Sequence, residues 1–146
     1  MAGAKWDRAR KLELLEHIHL FSACTKRELA LVADLTVPAE LKATTVLTRE
    51  GAAGGLAFVI ASGRAEVSRA GRLLATLGPG DVVGELSLID GQPRSATVTA
   101  VTDLEVLQVD GADLAKMLKK APTVVRKLLE SLAGRLREID AITASM

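Results

Sequence analysis

The chain has 146 residues, 49% of them hydrophobic, which is enough to build one full core, so a single domain is expected. The formal net charge of +1 gives no strong electrostatic field and argues against nonspecific binding to DNA or to an anionic membrane. An aromatic content of 2% excludes the stacking platform of proteins that bind single-stranded nucleic acid, and one cysteine excludes a disulfide framework.

The N-terminus and the apolar runs bear on localisation. The first residues are polar and charged through Lys11, which is unlike a secretory signal. The longest apolar runs are far shorter than the ~20 residues that cross a bilayer. Together with the lone Cys24, these features favour a cytoplasmic protein that does not contact a membrane.

Two short helices are predicted at the N-terminus. Apolar residues spaced among charges predict an amphipathic helix over Asp7–Phe21. A second helix is expected to begin after Thr25, because Thr25 and Glu28 have the spacing of a capping box. His17 and His19 lie two residues apart and point to different helix faces, so ordinary surface histidines are favoured over a metal site.

The segment 35–110 is predicted to be a β-domain, because runs rich in Val, Thr, Ile and Leu alternate with turn signals such as Pro38. Short strands at this spacing predict an antiparallel sandwich or barrel, and no helix of about ten residues separates them as a parallel sheet requires. The strands predicted from the residues are Thr45–Thr48, Leu56–Ala61, Arg64–Ser68, Arg72–Leu77, Asp81–Val83, Ala96–Val101 and Leu104–Val109.

Two further helices are predicted at the C-terminus. Asp110 is a good N-cap for a helix over Gly111–Lys120, and Pro122 suits the first turn of another that runs to about Thr143. The second helix carries two heptads of an apolar seam, formed by Val125, Leu129, Leu132, Leu136 and Ile139. This seam covers the β-domain, pairs two copies of helix 122–143 in a homodimer, or does both along different turns.

The stretch Gly84–Val98 has the chemistry of a binding site. Gly84 permits a close backbone approach, and one helical turn at Leu86–Ile89 offers the N–H groups that bind anions. Arg94 suits phosphate oxygens and Glu85 suits sugar hydroxyls, so the pair fits a ribose phosphate. The alternative is an internal ion pair between Glu85 and Arg94.

The same stretch resembles the phosphate-binding cassette of the cyclic-nucleotide-binding domain family, which includes the catabolite activator protein and the regulatory subunit of protein kinase A. The cassette pattern is Gly-Glu-Leu, a small residue, Leu-Ile, a loop often containing proline, then Arg, a small residue, Ala, Thr or Ser, and Val. Every position is matched within Gly84–Val98. Glu50-Gly51 and the segment Phe58–Val67 also resemble the family, and the resemblance extends from about Leu14 to Ile142.

The resemblance implies a mainly β fold with flanking helices. It consists of an eight-stranded antiparallel β-roll of the jelly-roll type, with N-terminal helices and two C-terminal helices. The whole chain, 1–146, would form one cyclic nucleotide-binding domain. Its parts would be the N-terminal helices (1–34), the β-roll with its cassette (35–110) and the C-terminal lid helices (111–146).

The resemblance also assigns roles to residues. Glu85 would hold the ribose 2′-hydroxyl and Arg94 the exocyclic oxygens of the cyclic phosphate, with the backbone N–H groups of Ser87 and Ser95 assisting. The implied binding set is Gly84, Glu85, Leu86, Ser87, Arg94, Ser95 and Ala96. Val67 and Val83 would line the pocket, and the lid residues on the last helix would be Arg135, Ile139 and Asp140.

These roles predict a sensor that binds cyclic AMP, with cyclic GMP less favoured. In this family threonine after the arginine tends to accompany cyclic GMP and alanine cyclic AMP. Ser95 is intermediate, and serine there also occurs in cyclic AMP receptors that resemble the catabolite activator protein. The C-terminal helices would move onto the site and signal to a protein effector in trans. No winged helix-turn-helix follows, so direct DNA binding is not expected. The competing hypothesis is an interaction module that kept the fold and lost the ligand. Neither a catalytic constellation, a metal site nor a cofactor is expected, so the protein is not predicted to be an enzyme.

Overall fold

A computed structural model of the chain describes residues 7–145, apart from the side chains of Leu86, Arg135 and residues 142–145. Along the described chain the helical elements are α1 (Arg8–Glu16), a 3₁₀ turn (His19–Phe21), α2 (Lys26–Leu35), α3 (Glu85–Asp90), α4 (Gly111–Lys120) and α5 (Pro122–Ser145). The strands are β1 (Val37–Leu41), β2 (Val46–Thr48), β3 (Leu56–Ser62), β4 (Ala65–Arg69), β5 (Arg72–Leu77), β6 (Val82–Val83), β7 (Thr97–Ala100) and β8 (Leu104–Asp110).

The eight strands form two four-stranded sheets, with the orders β1-β8-β3-β6 and β2-β7-β4-β5. Each recorded strand pairing is antiparallel. The chain passes back and forth between the sheets, so that neighbours in sequence commonly lie in opposite layers. The predicted antiparallel β-roll with flanking helices is confirmed.

The core has two parts, and β8 contributes to both because successive side chains of a strand point to opposite faces. Leu104 and Val106 lie in the cluster between the two sheets. Leu107 and Val109 lie in the cluster that the first sheet makes with the helices. The helices therefore cover the outer face of one sheet, while the inner faces of the two sheets pack on each other.

Two expectations for the N-terminal half were wrong. The first helix ends at Glu16 and not at Phe21, because Ile18 adopts an extended conformation that buries it in the core, before the 3₁₀ turn. Strand β1 was missed because Pro38 was taken as a turn signal. Pro38 lies in β1, opposite Leu107, and β1 is an edge strand, where proline costs no ladder hydrogen bond on its open side.

The buried carboxylate of Glu28 joins the N-terminal helices to α5. Its Oε1 accepts from the Thr25 N–H at 3.0 Å and completes the predicted capping box with the Thr25 hydroxyl. Its Oε1 also accepts from the Thr123 hydroxyl at 2.9 Å, and its Oε2 accepts from the Thr123 N–H at 3.2 Å. The hydrogen bond from the Thr25 backbone lowers the pKa of Glu28 despite its burial, and the Thr123 hydrogen bonds lower it further.

We expect Glu28→Gln to destabilise the fold by about 1–3 kcal/mol at neutral pH, the usual loss for charge-assisted hydrogen bonds. Because the folded-state pKa of Glu28 is lowered, its contribution is full above the unfolded value of about 4.3 and is lost as the pH falls through the folded value. Denaturant unfolding at several pH values measures this. Glu138→Gln, on the exposed surface of α5, is the control. A stability difference that stays constant into strong acid would contradict the role given to the Glu28 charge.

Candidate functional site

A cavity of about 300 Å³ opens at the end of the β-roll, where β2, β4, β6, α3 and the start of β7 converge. Its polar lining comes from Thr48, Glu85, Ser87, Arg94 and Ser95. Its apolar lining is made by Val67, Leu77, Val82, Val83, Ala96 and Val98, together with Gly84. The cavity therefore has an apolar wall beside a wall that carries both a cation and an anion.

Gly84 is the turn residue that brings the two charges together. It is the N-cap of α3 with φ +81°, a left-handed conformation that favours glycine. A Cβ at this position would collide with Nη1 of Arg94 and lie 3.1 Å from the carbonyl oxygen of Leu56. A side chain here would therefore displace the arginine, which explains why the stretch opens with glycine.

Arg94 is 7% exposed, and main-chain carbonyls hold its guanidinium. Nη1 donates to the Gly84 carbonyl at 2.7 Å, and Nη2 donates to the Leu56 carbonyl at 2.5 Å. Its own backbone is paired with the β2–β3 loop, through Ala52 and Gly51. These two side-chain bonds use two of the five N–H groups of a guanidinium, so Arg94 has the capacity to bind an anion while it stays in place.

Burial lowers the pKa of Arg94 below its ordinary value, and the neighbouring carboxylate of Glu85 opposes that shift by raising it. An arginine remains charged at neutral pH even so, because its ordinary pKa lies far above neutrality. A buried cation attracts an anion more strongly than an exposed one does, because less water screens it.

Glu85 is the first residue of α3 and is 7% exposed. This carboxylate lies at the helix N-terminus, where negative charge is favourable, and it lines the cavity. Glu85 is close enough to raise the pKa of Arg94, while the carbonyls of Gly84 and Leu56 accept the Arg94 side-chain hydrogen bonds described above.

The structure places most of the predicted site residues around this cavity. Gly84, Glu85, Ser87, Arg94, Ser95 and Ala96 line it, as do the predicted wall residues Val67 and Val83. The predicted lid residues are elsewhere: Ile139 is 58% exposed, Asp140 is also exposed, and neither lines the cavity. The side chains of Leu86 and Arg135 lie outside the described residues.

Sequence reasoning missed Thr48, Leu77, Val82 and Val98 in the lining. Thr48 is buried, and its hydroxyl donates to the Ala96 carbonyl at 3.0 Å, which ties β2 to the end of the cassette. A polar residue at the end of a short apolar strand can indicate such a hydrogen bond to a neighbouring segment. The three apolar residues carry no comparable signal, because inward-facing residues of a β-roll line a core and a pocket alike.

Within residues 7–145, no group of three or more His, Cys, Asp or Glu side chains is arranged to hold a metal ion. None of the helices described there is both long and apolar enough to cross a membrane.

Comparison with known proteins agrees with this geometry. The family model described as the cyclic nucleotide-binding domain matches residues 38–121, more than half of the chain. The chain belongs to the cyclic nucleotide-binding domain family. The matched residues include both sheets, except for Val37 at the start of β1, and the whole of the cassette. The resemblance stated from the sequence is thereby confirmed.

Relatives of this domain include the cyclic AMP receptor protein of Thermus thermophilus, 38% identical over 96 residues, which are 62% of this chain and 44% of that relative. The crystal structure of the Thermus thermophilus catabolite activator protein matches with a TM-score of 0.79 and 32% identity, over 86% of this chain and 61% of that one.

The regulatory domain of Toxoplasma gondii protein kinase A, co-crystallised with cAMP, matches with a TM-score of 0.68 and 28% identity, over 75% and 44% of the two chains. In each of these three comparisons the chain spans less than two thirds of the relative's length.

Proposed function

We propose that this chain is a cytoplasmic regulatory module that binds cyclic AMP in the cavity lined by the cassette. Arg94 binds the exocyclic oxygens of the cyclic phosphate, and Glu85 accepts from the ribose 2′-hydroxyl. The observation that carries the proposal is the placement of these two buried, oppositely charged side chains on one wall of a cavity of about 300 Å³.

The expected interaction energies are sufficient for micromolar binding. Two or three charge-assisted hydrogen bonds contribute roughly 1.5–3 kcal/mol each, and burial of the base against the apolar wall adds to them. Their sum reaches the ~8 kcal/mol of a micromolar site. The amides of Ser87 and Ser95, on either side of the phosphate position, supplement Arg94 in this proposal.

Cyclic AMP is favoured over cyclic GMP on two grounds. Ser95 lies at the cavity and stands where threonine tends to accompany cyclic GMP in the family. The Toxoplasma gondii domain, 28% identical to this chain, is described as a complex with cAMP. The ligand is the nucleotide itself, and the proposal includes no cofactor.

Calorimetric titration with cyclic AMP, cyclic GMP and linear 5′-AMP tests this proposal. We expect one site per chain, near-micromolar affinity for cyclic AMP and weaker binding of cyclic GMP. Linear 5′-AMP should bind weakly, because its phosphate carries a second negative charge and is not closed into a ring. Its oxygens therefore do not take the positions of the cyclic phosphate oxygens that Arg94 would bind. Absence of heat with both cyclic nucleotides would favour the second candidate, an interaction module of this fold without a ligand.

The proposed output is a movement of the C-terminal helices. Ile139 and Asp140 are exposed and do not line the cavity in the described structure, so α5 must move for its residues to act as a lid. The movement would alter the surface offered to a protein effector in trans. Direct DNA binding and catalysis are not part of the proposal.

A homodimer through α5 also belongs to the proposal. Val124 and Leu128 are the buried residues by which α5 packs on the core. The predicted seam is displaced from this face: Leu129 and Leu136 are each 62% exposed. Val125 and Leu132 of the seam are half-buried, while its exposed residues form an apolar stripe whose period suits a second helix.

We expect Leu136→Glu to shift the chain from dimer to monomer, because it places a carboxylate in the helix seam. Sedimentation equilibrium at micromolar concentration measures the mass. Ala141→Glu adds the same charge at an exposed position off the seam and should leave the dimer intact. A monomeric unsubstituted chain, or equal effects of the two variants, would contradict the proposed dimer.

A further inference from the structure

The turn between β4 and β5 lies against the cassette. Ala70 and Gly71 form it, both with positive φ (+51° and +78°), which is the geometry of a tight two-residue hairpin. Arg69 and Arg72 flank the turn as register partners. The two arginines therefore carry the same charge at equivalent positions of one hairpin.

Three hydrogen bonds connect this turn to the end of the cassette, one directly and two through Glu50. Nε of Arg69 donates to the Ser95 carbonyl at 2.9 Å. Oε1 of Glu50 accepts from the Ala70 N–H at 3.0 Å, and the Glu50 N–H donates to the Thr97 hydroxyl at 3.0 Å. Glu50 thus connects the turn to the first residue of β7, and Arg69 connects it to the residue after Arg94.

The Ser95 carbonyl is one end of the peptide group whose other end is the Ala96 N–H. In a planar trans peptide the two groups point in opposite directions, so an anchor on the carbonyl also fixes the direction of the N–H. Ser95 and Ala96 both line the cavity, and the Ala96 carbonyl is itself held by Thr48. Arg69 therefore holds the carbonyl of the Ser95–Ala96 peptide, and Thr48 holds the carbonyl of the next peptide, Ala96–Thr97.

We propose that Arg69 is a positioning residue for the ligand. Its Nε–H orients the Ser95–Ala96 peptide so that the N–H groups of the cassette point at the phosphate of the ligand. The hydrogen bond of Arg69 matters more for this role than its positive charge. This inference rests on the proposed function, since it concerns binding of a cyclic phosphate in the same cavity. It assigns a role to a hairpin outside the cassette motif.

Three variants separate the hydrogen bond from the charge. Arg69→Met removes both the donor and the charge and keeps an unbranched chain. Arg72→Met removes the same charge from the other side of the turn. Arg69→Gln removes the charge but restores a donor, because glutamine Nε2 is as many bonds from the backbone as arginine Nε. Calorimetry with cyclic AMP gives the affinity, and amide NMR shifts of the ligand-free protein report on Ser95 and Ala96.

We expect Arg69→Met to weaken cyclic AMP binding about 3- to 10-fold relative to Arg72→Met, the range for loss of one hydrogen bond. Arg69→Gln should bind within about twofold of Arg72→Met. In the ligand-free protein, the amide NMR signals of Ser95 and Ala96 should change position in Arg69→Met. They should keep the positions of the unsubstituted protein in Arg72→Met and Arg69→Gln.

Equal affinities of the two methionine variants, or no recovery in Arg69→Gln, would overturn the positioning role. If the amide shifts differ among the variants as expected but the protein binds neither cyclic nucleotide, Arg69 does anchor the Ser95–Ala96 peptide. The proposed function, and the role in ligand binding that rests on it, would then be overturned. The two failures are thus distinguishable.

Discussion

Arg94→Leu should weaken cyclic AMP binding at least ~100-fold. Two charge-assisted hydrogen bonds to the cyclic phosphate, at roughly 1.5–3 kcal/mol each, are lost together. The variant also leaves the Gly84 and Leu56 carbonyls without this donor, so a modest drop in melting temperature should accompany the loss of binding. Calorimetry and thermal unfolding, performed on the same sample, separate the two effects.

Arg64→Leu is the matched control, since Arg64 is exposed and lies away from the cavity lining. Arg94→Lys provides the intermediate case: a point charge remains, while the planar fork that bridges two oxygens is lost. Its affinity should fall between those of the other two proteins. Unchanged affinity in a folded Arg94→Leu variant would rule out the cassette as the phosphate site.

Glu85→Ala should weaken cyclic AMP binding about 10- to 100-fold, the loss of one charge-assisted hydrogen bond from a buried carboxylate. The same variant should lose almost nothing toward 2′-deoxy cyclic AMP, because that ligand lacks the hydroxyl that Glu85 would bind. The four affinities form a thermodynamic cycle whose coupling energy should be about 1.5–3 kcal/mol.

Asp90→Ala is the control for this cycle, since Asp90 is an exposed carboxylate on the same short helix. It should show no coupling to the 2′-hydroxyl. If the loss of binding free energy caused by Glu85→Ala and the loss caused by removing the 2′-hydroxyl are additive, Glu85 does not contact that hydroxyl. Its burial would then serve the cassette structure alone, through attraction to Arg94.

The fold was predictable where local patterns and tertiary structure agree. The capping box at Thr25 and Glu28, the N-cap at Asp110 and the strands around the turn at Gly71 all appear in the structure. Prediction failed where tertiary context overrode a local signal. Pro38 is a turn signal by itself, and only its place on a sheet edge makes it a strand residue.

The charges of the site were predictable, and the contacts that hold them were not. Glu85 and Arg94 are conspicuous in an apolar stretch, and the cassette pattern singles them out. The carbonyl of Leu56 and the hydroxyl of Thr48 come from segments some forty residues earlier, and only the folded chain brings them to the cassette. The hairpin contact of Arg69 with Ser95 has the same long-range origin.

The position of α5 shows a further limit of sequence reasoning. Heptad spacing predicted the apolar seam, yet it does not indicate which face of the helix packs on the domain. Burial of Val124 and Leu128 decides this, and the seam residue Leu129 is left exposed beside them.

The central claim is that a cyclic nucleotide binds at Gly84–Val98, and amide NMR during titration with cyclic AMP tests it most directly. The account predicts saturable shifts, fitted by one site, that are largest at Glu85, Ser87, Ser95 and Ala96. Shifts confined to another part of the chain, or none at millimolar cyclic AMP and cyclic GMP, would contradict it.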